Sequence, residues 1–213
     1  MKRHINAVFV LVACAMVVNT AQARDWGPGF SATMVLTNPK NPSQQKTAEY
    51  HADKGKSRVT STIPKKRAKK QGMGKVQVSI TNPYQGAMWL VFPDVKKYME
   101  STGEPQSSLP PPPMPTDEDH ACTSAKEVSC KKLADETIGG RKVEKWEFVA
   151  EGKDGKMTST SWYDPELGIP IRELVPGKMM RELTHIKVGP QDDSLFMVPA
   201  GFEKVDPPKP AKK

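Results

Sequence analysis

Carboxylates, a histidine and a thiol are gathered in the segment Asp-Glu-Asp-His-Ala-Cys, residues 117–122. With Cys130 added, His120 and Cys122 could supply the nitrogen and sulfur ligands that Zn²⁺ prefers. The seven residues between Cys122 and Cys130 match no short chelating motif, and close cysteines in an exported protein normally oxidise. We therefore predict a disulfide between Cys122 and Cys130 and no bound metal. Metal handling stays open as an alternative function.

Motifs for nucleophilic catalysis and for phosphate binding are missing from the sequence. Gly-x-Ser-x-Gly does not occur, and the histidines after the N-terminal segment, His51, His120 and His185, lie far apart. The glycines of the segment 72–75 precede a predicted strand, so no helix N-terminus follows them to bind an anion. The sequence predicts a protein without catalytic activity and without a cofactor.

Asp164 and Glu166 are the remaining carboxylates with a suggestive setting, in the segment Trp-Tyr-Asp-Pro-Glu-Leu-Gly. Pro165 fixes its own φ, and Gly168 can adopt conformations that other residues avoid. This chemistry is typical of a turn between two antiparallel strands. We therefore assign Asp164 and Glu166 to a corner of a sheet and not to a catalytic site.

The N-terminus has the pattern of an export signal. Basic residues 2–4 are followed by an apolar stretch, 5–18, and by Ala-Gln-Ala at 21–23. This apolar stretch is too short for a membrane-spanning helix. We predict a signal peptide over residues 1–23, cleavage after Ala23 and a periplasmic location.

A second interpretation of the leader remains open. Leu-Val-Ala-Cys, residues 11–14, resembles the lipobox of bacterial lipoproteins, in which the cysteine is lipidated. The protein would then be anchored to a membrane through Cys14. The apolar residues that follow, 15–18, favour simple secretion, because a lipoprotein usually continues into a polar tether.

The charge of the chain favours anionic partners. Lys2 and Arg3 are the charged residues of the leader, so the net charge falls from +8 to +6 after cleavage. A basic surface of this size fits lipid headgroups or an acidic protein, and predicted export argues against nucleic acid. The basic residues are concentrated in one connection between strands, at Lys65, Lys66, Arg67, Lys69 and Lys70. This patch either docks on an anionic membrane or partner or is a solvated loop that protects a sheet edge.

Most of the chain alternates apolar and polar residues with a period of two, the pattern of half-buried strands. Tight turns between the strands favour an antiparallel meander. Ser101–Asp119 is predicted to be a long proline-rich loop, Ala121–Leu133 a short helix carrying both cysteines, and 207–213 a disordered tail. The predicted strands include Phe30–Leu36, Arg58–Ile63, Val76–Thr81, Met88–Phe92, Val143–Ala150, Lys156–Tyr163, Ile169–Val175 and Met179–Val188.

The order of these segments over residues 24–206 resembles the LolA/LolB-like superfamily, which includes periplasmic lipoprotein carriers and outer-membrane lipoprotein-sorting relatives. The resemblance rests on five segments in order: Phe-Ser-Ala-Thr-Met-Val-Leu, Lys-Gly-Lys-Ser-Arg-Val-Thr-Ser, Gly-Ala-Met-Trp-Leu-Val-Phe-Pro-Asp-Val-Lys-Lys-Tyr-Met-Glu, Trp-Tyr-Asp-Pro-Glu-Leu-Gly-Ile-Pro-Ile-Arg-Glu-Leu and Asp-Asp-Ser-Leu-Phe-Met-Val-Pro-Ala-Gly-Phe-Glu-Lys-Val-Asp. It implies a mainly β domain with one strongly curved antiparallel sheet, a half-open β-barrel, a few short helices and long loops. The helix that usually precedes the first strand, however, is missing, and the proline-rich insertion and the cysteine pair are not part of the family pattern.

The resemblance also implies a site. Acyl chains would bind on the concave face, with Arg58 in the place of the arginine that latches a lid over the ligand. The soft thioether of methionine suits an irregular apolar ligand, although methionine more often fills a core. The implied lining consists of Met34, Met88, Leu90, Phe92, Trp146, Phe148 and Trp162.

Two functions therefore stand beside metal handling. The first is an exported carrier that holds a lipid or a lipoprotein acyl chain on the concave face of the sheet. The second is a periplasmic interaction or sensor module that binds a partner protein through the basic connection and the proline-rich loop.

Overall fold

The computed structural model describes residues 27–38, 41–64, 68, 73–102, 128–152, 155–176 and 179–206. These residues form twelve strands and three short 3-10 turns, at Pro83–Gln85, Pro93–Val95 and Asp193–Phe196. The strands are β1 Phe30–Asn38, β2 Asn41–Asp53, β3 Lys56–Thr62, β4 Val76–Asn82, β5 Ala87–Phe92, β6 Lys97–Thr102, β7 Val128–Ile138, β8 Arg141–Gly152, β9 Gly155–Asp164, β10 Ile169–Val175, β11 Met179–Val188 and β12 Glu203–Lys204.

All twelve strands belong to one sheet, in the order β12-β6-β5-β4-β3-β2-β1-β11-β10-β9-β8-β7. The sheet is open, since its end strands β12 and β7 do not pair with each other. The predicted fold class is confirmed: the chain is mainly β, with a single sheet that is not closed. One detail differs from the antiparallel prediction, because β12 pairs with β6 in parallel.

The strands form where the sequence alternates. In β1, Phe30, Ala32 and Met34 are buried and the residues between them are half-buried. Strand β2, which is thirteen residues long, is not among the strands predicted from the sequence. Its first half is rich in polar residues that disfavour strands. Backbone pairing with β1 on one side and β3 on the other holds it in the sheet.

Apolar side chains form a main cluster and two smaller clusters. The main cluster is centred on Phe30, Met34, Leu183, Ile171 and Leu167 and draws on β1, β2 and β8 to β11. The second cluster lies over β4 and β5, and the third joins Trp146 to Tyr163. An open sheet thus buries apolar groups at several places along its width.

The predicted helix Ala121–Leu133 is wrong over its second half, because β7 begins at Val128 and pairs with β8. Pairing with a neighbouring strand outweighs a weak local preference for helix. The predicted loop Ser101–Asp119 begins too early, because Ser101 and Thr102 belong to β6 and pair with β5. The rest of that loop, the signal peptide, Cys14, Cys122 and the 207–213 tail lie outside the described residues.

Within the described parts of the chain, no helix has the length and hydrophobicity needed to cross a membrane.

Candidate binding face

The strand register assigns each side chain to a face, because residues directly opposite in a ladder point the same way. Leu90 of β5 lies opposite Ser79, and that row continues through Val59 and Tyr50 to Ala32 of β1. Met34 and Met88 share this face by alternation along β1 and β5. We call it the methionine face.

The same rule extends the methionine face across the other half of the sheet. Leu36 of β1 lies opposite Arg181, Arg181 opposite Glu173, and Glu173 opposite Ser161. Ser161 lies opposite Trp146 of β8. Trp146, and Phe148 two residues on, therefore lie on the methionine face.

Trp162 lies on the opposite face from the six other predicted lining residues. It follows Ser161 directly in β9 and pairs with Lys145 and Arg172. Its indole nitrogen donates a hydrogen bond of 2.8 Å to Glu136, and the cationic groups of Lys145 and Arg172 lie 5.1 and 5.5 Å from its ring. Trp162 thus belongs to a network of charged and aromatic groups, and it is also a buried member of the main apolar cluster.

The predicted lining residues of β5 differ in burial. Phe92 is almost completely buried, whereas Met88 and Leu90 are half-buried. Met99 of β6, which lies opposite Leu90, is also half-buried. Of the residues the structure describes, those in the three apolar clusters include none of Met88, Leu90 and Met99. These three side chains form an apolar surface outside the packed core.

The opposite face of the same strands is closed by the C-terminal segment 189–206, which we call the strap. Phe196 of the strap is fully buried against β4 and β5. The strap residues Leu195, Val198 and Phe202 pack around it. On the strand side, the second cluster contains Val78, Ile80, Ala87, Trp89 and Val91. We call this side of the sheet the strap face.

Polar contacts hold the strap at its edges. Lys56 bonds to Asp193, and its ammonium lies 4.9 Å from the centre of the Phe196 ring. The backbone N–H of Gln191 donates a hydrogen bond of 3.1 Å to the Asp53 carboxylate. Strand β12 then adds the end of the strap to the edge of β6.

Arg58 is part of the strap face. The register places it opposite His51 and Ile80, and its Nη1 donates to the carbonyl of Leu195 at 3.0 Å. Burial lowers the pKa of Arg58, with Glu49 acting in the opposite direction. The resemblance implied an arginine that latches a lid over the ligand. In this fold Arg58 fastens the strap on the face opposite to Met34, Met88 and Leu90.

The methionine face also carries polar groups that the sequence analysis did not single out. Arg181 pairs with Glu173 at 2.6 Å, and its buried Nε has no hydrogen-bond partner among the described residues. Burial raises the pKa of the nearby Tyr50 hydroxyl, while Arg181 lowers it and Glu173 raises it. Alternation within β2 could have identified Tyr50, but the pairing of Arg181 with Glu173 depends on the register between β10 and β11.

The corner predicted at Asp164 is confirmed. Asp164 is fully buried, accepts hydrogen bonds from the amides of Glu166 and Leu167 at 3.0 and 3.1 Å, and pairs with Arg141. Gly168 has a φ of 70°, as expected for the end of this turn. Each oxygen of the carboxylate has a structural partner.

Other predicted site residues lie mostly outside the described ranges. Among these are all five members of the predicted basic patch, Lys65, Lys66, Arg67, Lys69 and Lys70. Cys130 lies in β7 beside Phe148, and its predicted pairing with Cys122 remains a prediction. In the described part of the chain, no group of three or more His, Cys, Asp or Glu side chains is placed to hold a metal ion.

Comparison with known proteins gives similarity of structure only. No family model and no curated protein sequence matches the chain. A PNGF-II structure matches with a TM-score of 0.45 and 15% identity, over 84% of this chain and 31% of the other. The complex of MucA and MucB from Pseudomonas aeruginosa matches with a TM-score of 0.46 and 14% identity, over 80% of this chain and 56% of the other. The chain thus spans about a third of the first protein and just over half of the second.

A LolA superfamily protein from Nitrosomonas europaea is also among the matches. Its TM-score is 0.32 and its identity 12%, over 82% of this chain and 91% of the other. A member of the superfamily that the sequence resembles is thus among the structures similar to this chain.

Proposed function

We propose that the chain is an exported, periplasmic, non-enzymatic binding protein that holds the acyl chain of a lipid or lipoprotein on its methionine face. The main support for this proposal is the difference in burial between the two faces of β4 to β6. Phe196 closes the strap face, whereas Met88, Leu90 and Met99 lie outside the apolar clusters of the described residues.

The chemistry of the methionine face suits an acyl chain. Methionine is flexible and polarizable, so Met88 and Met99 can adapt to a ligand without a fixed shape. An acyl chain of about 14 carbons gains on the order of 10 kcal/mol when it is buried, at ~0.8 kcal/mol per CH₂, before the cost of ordering it. An apolar surface of this kind can bind an acyl chain without any catalytic group.

The pair of Arg181 and Glu173 gives the same face a polar region. Arg181 and Leu36 lie opposite each other in β11 and β1, so the charged pair adjoins apolar side chains of the methionine face. A ligand with an acyl chain and a polar head, such as a lipid or an acylated lipoprotein, combines both properties.

The test uses the full-length precursor, expressed with its own leader in a Gram-negative host and analysed by native mass spectrometry. We expect a lipid to co-purify with the protein and to leave it on unfolding. Leu90→Asp places a charge on the methionine face and should remove the lipid. Met197→Asp is the matched control, because it also replaces a large apolar side chain with aspartate, at an exposed position of the strap, and it should keep the lipid.

Two outcomes would count against the proposal. One is a natural protein that carries no lipid. The other is a folded Leu90→Asp variant that retains as much lipid as the Met197→Asp control. The denatured mass from the same experiment distinguishes cleavage after Ala23 from lipidation of Cys14.

A further inference from the structure

Strand β7 ends the sheet on the side away from the strap. It is eleven residues long, and none of the described strands pairs with its outer edge. The central residues Lys131, Lys132, Leu133, Ala134 and Asp135 are exposed. An edge strand of this length offers unpaired backbone donors and acceptors to another strand.

The charges along β7 are antisymmetric: two positive residues at one end match two negative residues at the other. The order Lys-Lys-Leu-Ala-Asp-Glu, residues 131–136, reverses sign about the midpoint between Leu133 and Ala134. If two copies of β7 pair antiparallel about this midpoint, Lys131 lies opposite the second copy's Glu136 and Lys132 opposite its Asp135. Each pair occurs twice by symmetry, and opposite charges placed directly across strands stabilise a sheet.

Strand β7 contains a bulge, where its register with β8 shifts between Lys132 and Ala134. This bulge allows the two copies to pair in the register described above. A two-fold axis perpendicular to the sheet keeps each face on its own side, so only residues that share a face can meet across it. In a regular strand, positions 131 and 136 would point to opposite faces.

The register between β7 and β8 shifts between Lys132 and Ala134. Lys132 and Asp135 lie opposite Trp146 and Glu144, two residues that share a face of β8. Lys131 and Glu136 lie opposite Glu147 and Val143, which share the other face. The extra residue thus brings each lysine onto the same face as the carboxylate that it would meet.

We propose that β7 is an interaction edge for a second copy of this chain, joined antiparallel about the midpoint of residues 131–136. The same charge order disfavours a parallel copy, because lysine would then face lysine. Within one copy, Lys132 pairs with Asp135 at 3.0 Å and with Glu144 at 2.9 Å, and Glu136 pairs with Lys145 at 2.9 Å. These ion pairs hold the charged groups on the faces where the second copy would meet them.

The test measures association of the full chain by sedimentation velocity over a concentration series. We expect a reversible dimer that weakens as salt is added. Lys131→Glu, at an exposed position, places two like-charge pairs in the interface and should raise the dissociation constant at least tenfold. Lys187→Glu is the control, since it makes the same charge change at an exposed position of β11, which is paired on both sides.

A pair of complementary variants tests the register. Lys131→Glu/Lys132→Glu and Asp135→Lys/Glu136→Lys should each remain monomeric, and an equimolar mixture should form a heterodimer. Circular dichroism confirms that each variant is folded; if the double variants do not fold, Lys131→Glu alone decides. A natural protein that stays monomeric at all concentrations overturns the proposal, as does a dimer that Lys131→Glu leaves unchanged.

Discussion

The two faces of β5 are both apolar, but they differ in how deeply their side chains are buried. Trp89 and Val91 on the strap face are buried, while Met88 and Leu90 between them are only half-buried. The strand is almost wholly apolar, so its own composition does not distinguish the two sides. The difference comes from Phe196, more than a hundred residues later in the chain, which packs on the strap face. Burial of a strand face is therefore decided by what covers it.

Substitution of Phe196 should cause the greatest loss of stability among the variants of the two faces. Phe196→Ala removes a fully buried ring, and substitutions of this kind cost about 3–5 kcal/mol. The free energy of unfolding, measured by urea denaturation, should fall by this amount. Met197→Ala is the control, because Met197 is 51% exposed and should change stability by no more than about 0.5 kcal/mol. Equal effects of the two substitutions would mean that the strap does not close its face.

Two aliphatic residues, one on each face, provide a matched test of how deeply each face is buried. Ile80 on the strap face is fully buried and Leu90 on the methionine face is half-buried. Isoleucine and leucine are isomers, so replacement by alanine removes the same number of carbon atoms. Ile80→Ala should cost about 2–5 kcal/mol, and Leu90→Ala about 1 kcal/mol, as only part of its surface is buried. Urea denaturation of the lipid-free proteins measures both, and a Leu90→Ala cost as large as that of Ile80→Ala would show that the methionine face is closed.

Removal of the ion pair between Lys56 and Asp193 should have a small effect on the Tm, and this effect should depend on pH. The hydrogen bond from Lys56 lowers the pKa of Asp193. A carboxyl with a lowered pKa stabilises the folded state above its unfolded pKa of about 3.9, and this contribution disappears as the pH falls through the lower folded value. Asp193→Asn should therefore reduce the Tm slightly at neutral pH and leave it unchanged below the folded pKa.

Thermal unfolding followed by circular dichroism at several pH values measures this dependence. Asp206→Asn provides a control in the exposed end of the strap. A Tm difference for Asp193→Asn that persists undiminished in strong acid would contradict the assignment of the ion pair.

Local patterns located most of the strands and one of the turns. Alternation in Phe30–Leu36 and Ile169–Val175 predicted β1 and β10, and the Asp164 corner followed from its proline and glycine. The strand β2 was not predicted, because the polar residues of its first half interrupt the alternation of apolar and polar residues. The second half of the predicted Ala121–Leu133 helix is part of β7, since pairing with β8 outweighs a weak local preference.

The candidate site was predictable only in part. Met34, Met88 and Leu90 share a face because a strand alternates, and alternation can be read from sequence. Trp162 fell on the other face because a difference of one position in register exchanges the faces of a strand. Arg58 donates a hydrogen bond to the carbonyl of Leu195 in the strap, and its role as a latch over a ligand stays a prediction.

The mainly β class, the positions of most strands and the turn chemistry could be derived from the sequence alone, because all three depend on neighbouring residues. The tertiary structure was needed to establish which face of β4 and β5 the strap covers, which residue pairs meet across strands, and that β7 is an end strand of the described sheet. These properties depend on contacts between distant segments, such as Arg58 with Leu195. The free energy of such contacts depends on burial and register, and residues far apart in the chain set both.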